Sequence, residues 1–313
     1  MTRRMENGEW NDRKRQETTG NNLPLPAVAC CFHFPCSIFL LELRRRTKPR
    51  AACIVGGLLV LSLGIAAALQ LFWVQVNVYT GLAPRFVFRW FTMTCVAETL
   101  LLLPLAVFAG AGVLTAEVRS GRLAQWRVTP LSPMVMVATK TFGALWYLIL
   151  TVCVSAVGWG AVSVVTNRIA PAAVGRTALL LLVMIVAYGC LAAGVAAACN
   201  PGRDSVRAQT SAMVLVLLLL IAASVKLFLS NPLIRAMDDP RSLISAELAL
   251  NPFLAVMAAT GMDALRTDWL YRLTAAPEYA FTYPPAWVTA AIYAAVGWAS
   301  LWAAAWWVMK DER

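Results

Sequence analysis

The chain has 313 residues, of which 60% are hydrophobic and only 14% charged, against the roughly 25% charged residues of a soluble domain. That surplus of apolar side chains needs a solvent other than water, which excludes a soluble fold and points to an all-α polytopic membrane protein. The net charge of +11 does not indicate nucleic acid as a partner. The basic residues sit at the ends of apolar runs, where they set membrane orientation and meet anionic lipid headgroups.

Residues 1–34 mix charged and polar side chains and read as a disordered cytosolic tail. No apolar segment of the kind a cleavable signal peptide needs is found there. Cys30, Cys31, His33 and Cys36 cluster at its end. Adjacent cysteines flanked by Phe32, Phe34 and Pro35 do not match zinc-ligand spacing, so a reduced, membrane-surface cluster is expected and no metal site. Cys53, Cys95, Cys153, Cys190 and Cys199 lie in or beside apolar runs, where a thiol behaves as a small hydrophobe.

The membrane domain covers 35–313. It opens on FPCSIFLLELRRRTKPR, which is too short to span. Glu42 precedes Arg45 and Arg46 by three and four residues, which predicts an amphipathic helix along the interface. Six transmembrane helices are then expected, at about 51–73, 92–115, 134–163, 177–199, 209–230 and 286–308. Trp73, Trp90, Trp287, Trp306 and Trp307 fall near their ends, as interfacial aromatics do. Lys and Arg concentrate around 44–50, 119–140, 203–207 and 310–313, which places both termini in the cytoplasm. Between the fifth and sixth spans, the apolar run Ala246–Met262 is interrupted by Asn251-Pro252. So short and broken a run suits a re-entrant or interfacial pair of helices better than a span.

Between spans two and three lies LTAEVRSGRLAQWRVTPLSP, Leu114 to Pro133. Thr115 is expected to cap a short helix with Glu117 in its first turn. Arg119, Arg122 and Trp126 share one face of that helix, and Pro130 and Pro133 end it. Glu117 has no basic partner at helical spacing, and Arg119 and Arg122 repel each other, so the segment reads as built to meet something else. The same residues also describe an ordinary cytoplasmic loop whose arginines touch lipid phosphates.

Besides Lys140 at the entrance of the third span, two charges fall inside the spans. Glu98 lies in the outer half of the second and Lys226 near the outer end of the fifth, so they are either an ion pair or a water-facing acid and a snorkelling lysine. The near absence of other charge favours an amphipathic or lipid-like cargo over a small inorganic ion. No G-x-x-x-x-G-K-[ST] phosphate loop occurs, so the chain does not bind ATP by that device.

Glu117 followed by Gly121-Arg122-Leu123, then Thr129-Pro130-Leu131-Ser132, with Lys140 entering the next span, resembles the second-to-third-span region of type-2 ATP-binding-cassette permeases. The helix ending LLELRRR, the span number and the outer connection holding Asn251-Pro252-Phe253 are similar to that family as well. The resemblance implies that the segment from Glu117 to Arg127, including Arg119, Leu123 and Trp126, is a cytoplasmic coupling helix docking on a separate ATPase subunit. Glu117 and Arg122 would be the contacts, and Thr129 and Pro130 would begin the turn back to the membrane. It further implies an exporter of the plasma (bacterial inner) membrane with two permease subunits, as homodimer or heterodimer, and two ATPases. Glu98, Lys226, Asn251 and Pro252 would then be gating or pathway residues. The chain itself would be no enzyme and hold no cofactor, ATP being bound by its partner. The alternatives are a membrane scaffold or assembly protein without transport, or a membrane-embedded lipid enzyme. The enzyme is disfavoured because no two His, Asp or Glu residues cluster at one interface in adjacent spans.

Overall fold

The computed structural model describes residues 50–76, 86–121, 132–199, 204–229, 241–262 and 283–310. They form helices throughout, without strands among the described residues. In chain order these are α1 Arg50–Val76, α2 Phe86–Arg119, α3 Pro133–Thr166, α4 Pro171–Ala198, α5 Ser205–Leu229, α6 Arg241–Leu250, α7 Pro252–Thr260 and α8 Ala286–Lys310. Five helices are long and apolar enough to cross a membrane: α2, α3, α4, α5 and α8. The apolar stretch of α1 with described side chains is shorter, Cys53–Leu69. The expected interfacial helix and the Cys30–Cys36 cluster lie outside the described residues.

The helix ends follow from local chemistry. Ser132 caps α3 by accepting from the Val135 backbone N–H, and Pro133 occupies the first turn, where its missing N–H costs nothing. At the other end Asn167 adopts φ 50°, donates its N–H to Ser163 O and reverses the chain into α4, which also begins on a proline. Asp204 caps α5 by accepting from Val206 N and Arg207 N at 3.1 and 3.0 Å. Within the spans, threonine hydroxyls donate back to the carbonyl four residues earlier, as Thr99 does to Cys95 and Thr177 to Ala173. Their polar groups are thus satisfied without water.

α2 and α4 form the centre, with α1, α3, α5 and α8 packed around them. The central crossing depends on glycine. A Cβ at Gly110 of α2 would run into the Gly189 carbonyl of α4, and one at Gly189 would meet Leu145 of α3 at 2.6 Å. α8 lies on α4 by the same device, with Gly194 facing the Ser300 carbonyl and Gly297 facing Ala187 Cα. Small residues let helix backbones approach where lipid supplies no hydrophobic drive for association. Leu102, Leu103, Leu145, Met184 and Ile185 fill the space around these crossings and are fully buried.

One expectation is corrected. No separate helix starts at Thr115. α2 runs unbroken through Pro104 to Arg119, and the Thr115 hydroxyl donates back to Ala111 O at 3.1 Å instead of capping anything. Glu117 therefore stands at the C-terminal end of a long helix, where the backbone dipole disfavours an acid.

Candidate functional site

The chemistry of the described residues gathers at three levels: the α2–α3 junction, the buried middle of α2, and the α6–α7 pair at the opposite end.

At the junction, Glu117 is not the unpaired acid that helical spacing suggests. Its Oε1 lies 3.0 Å from Lys140 Nζ, two turns into α3. The pair is mostly buried, and Glu117 Oε2 is sealed off without a hydrogen-bond partner among the described residues. An ion pair at this depth is held firmly, because separating it strands a charge in low dielectric. α2 closes on Gly121, which takes φ 68° and donates its N–H to Val118 O. A side chain is strained in that conformation, which makes glycine the natural stop. Arg119, Ser120 and Gly121 are exposed at the tip. Arg122, Leu123, Trp126, Arg127, Thr129 and Pro130 lie outside the described residues.

In the middle of α2, Glu98 is 2% exposed. Ser155 of α3 hydrogen-bonds its carboxyl, and Oε1 is buried with no partner among the described residues. Two cavities reach it, and their lining comes from α1, α2, α3 and α4. None of that lining belongs to α5, the helix that carries Lys226, whose own side chain lies outside the described residues.

At the far end, the break at Asn251-Pro252 separates two helices, as expected from the sequence. Asn251 Oδ1 caps α7 by accepting from Phe253 N and Leu254 N, both at 3.1 Å. Its Nδ2 donates to Ser224 O of α5 at 2.8 Å. Tyr293 of α8 donates its hydroxyl to Leu250 O at 2.7 Å, and Thr92 of α2 lies 3.2 Å from the Thr260 hydroxyl. The pair is thereby tied to three long helices. Glu247 of α6, which the sequence reading does not single out, is buried and lines a cavity of about 430 Å³. The tilted Tyr188–Tyr293 ring pair lines the same cavity. The signal was present in the sequence, since Glu247 stands alone among Ala246, Leu248 and Ala249.

No group of three or more His, Cys, Asp or Glu capable of holding a metal occurs among the described residues. Comparison with known protein families, with characterised proteins and with solved structures finds no match to this chain.

Proposed function

We propose that the chain is the permease subunit of a type-2 ATP-binding-cassette exporter, driven by a separate ATPase that docks on the segment between α2 and α3. The observation that carries this reading is the Glu117–Lys140 pair. It fastens the end of one span to the start of the next directly beneath the exposed, basic tip. A push on that tip reaches α2 and α3 together, which is the mechanical property a coupling element needs. Glu117 then positions the tip, and the contacts fall to Arg119 and the arginines that follow it.

On this reading α1 is a sixth span, both termini are cytoplasmic, and the α6–α7 pair re-enters the outer face and closes it. Asn251, through its bonds to α5 and α7, is the pivot of that closure. The exposed apolar faces of α5 and α8 meet lipid and a second permease subunit. The chain binds no ATP; hydrolysis belongs to the partner.

Affinity purification of the tagged chain in mild detergent tests the docking claim. A phosphate-loop ATPase is expected to accompany the native chain and to be lost from Arg119→Glu,Arg122→Glu, while the variant stays folded. A folded native chain that brings down no ATPase counts against the reading and favours a scaffold.

A further inference from the structure

The described residues leave an open chamber of about 330 Å³ between α1, α2 and α3, with Glu98 in its wall. Its lining is chiefly apolar. Trp90 of α2 and Trp159 of α3 supply the aromatic surfaces. Apart from the two indole N–H groups, the polar groups are of one kind. Ser62 donates its hydroxyl to Leu59 O at 2.9 Å and Thr94 donates to Trp90 O at 2.9 Å, so each turns only acceptor lone pairs to other partners. Ser155 is engaged with the Glu98 carboxyl. Glu98 Oε1 is itself buried and without a partner among the described residues. The chamber therefore offers acceptors, a carboxylate and two indole faces, and none of these hydroxyls has a proton left to give.

An anion finds only the indole N–H groups of Trp90 and Trp159 to bond and the Glu98 carboxyl to oppose it. A cation finds a counter-charge in a site of low dielectric and aromatic faces that attract it. An apolar body on that cation covers the rest of the lining, in a space of the size small ligands occupy. We propose that this chamber binds a monovalent organic cation with an apolar, aromatic-sized body, its charge paired with Glu98. The site is intrinsic to the chain and needs no ATPase, so its test is separate from that of the transport reading.

Gly158 of α3 supplies a second handle. It lines the chamber, and a Cβ built on it meets nothing within 4 Å. Gly158→Leu thus puts side-chain volume into the chamber from a well-formed helix while leaving Glu98 in the sequence.

The experiment is saturable ethidium binding to the purified full chain in detergent, followed by fluorescence polarisation, with the uncharged 6-phenylphenanthridine as control. Native protein is expected to bind ethidium. Glu98→Gln should weaken it roughly thirtyfold, the scale of losing one partner of a buried charge pair. The uncharged compound should bind native and Glu98→Gln protein alike. Gly158→Leu should weaken both compounds. Absence of saturable ethidium binding to the native chain overturns the proposal, as does equal affinity in native and Glu98→Gln protein. If Glu98→Gln does not fold, full ethidium affinity in folded Gly158→Leu overturns it.

Discussion

Lys140 lies opposite Glu117 because α2 extends a full turn beyond the apolar run and α3 begins close by on the Ser132 cap. Lys140→Met leaves the Glu117 carboxylate largely buried without its cation. It should lower stability by roughly 2–3 kcal/mol, the low end for such pairs because some solvent still reaches both groups. Thermal unfolding in detergent checks this, and the exchange Glu117→Lys,Lys140→Glu should recover much of the loss. Equal stability of Lys140→Met and native protein would show the pair to be incidental. The sequence made the charge of Glu117 legible and even its nearness to a boundary, but not its partner. Helical spacing finds only neighbours three or four residues away, and Lys140 is on another helix. The same limit applies to Glu98 and Lys226: membrane depth can be read from position in an apolar run, whereas the direction a side chain takes around the helix cannot be fixed without the packing.

Packing decides how the helices differ in tolerance. Gly110→Ala forces a methyl group into the Gly189 carbonyl, with backbone on both sides and no flexible side chain to yield. It should cost about 3 kcal/mol or more. Gly64 and Gly160 have nothing within 4 Å of a built Cβ; alanine there should be neutral or stabilising by up to about 1 kcal/mol. A melting series over these three positions separates a close helix crossing from mere helix propensity. Asn251→Ala removes both a cap and the bond to Ser224 O, and should destabilise by about 2 kcal/mol. The loss should appear first as faster amide exchange in α6 and α7. The helices were largely legible because long apolar runs have few other solutions, and the Asn-Pro break announced itself. The end of α2 was misread because Thr-Ala-Glu after an apolar run looks like a cap. In the structure Thr115 bonds backward into its own helix, and Lys140 offsets the acid that a helix C-terminus disfavours.

Taken together, the helices place two kinds of end on opposite sides. The ends of α2 and α4 and the beginnings of α3 and α5 lie together, through Glu117–Lys140, Thr115–Gln209 and the packing of Leu114, Val137 and Ala197. The α6–α7 pair covers the other side, near Thr92, Ser224 and Tyr293. On the proposed topology, an impermeant maleimide applied to oriented membrane vesicles should label Ser120→Cys from the cytoplasmic face and Arg176→Cys only from the opposite one, after background labelling of the native cysteines is subtracted. Labelling of both from one face would contradict the topology. The chamber beside Glu98 illustrates what no reading of one helix at a time can supply, since its walls come from three successive helices.

The proposed docking of an ATPase at the α2–α3 tip is tested most directly by a photocrosslinking residue at Ser120 in whole cells, with Arg176 as the control; both positions are exposed. Crosslinking from Ser120, and not from Arg176, to a protein carrying a phosphate loop is the predicted result. A native-like, folded chain whose Ser120 crosslinks only to lipid, or to proteins without such a loop, would contradict it.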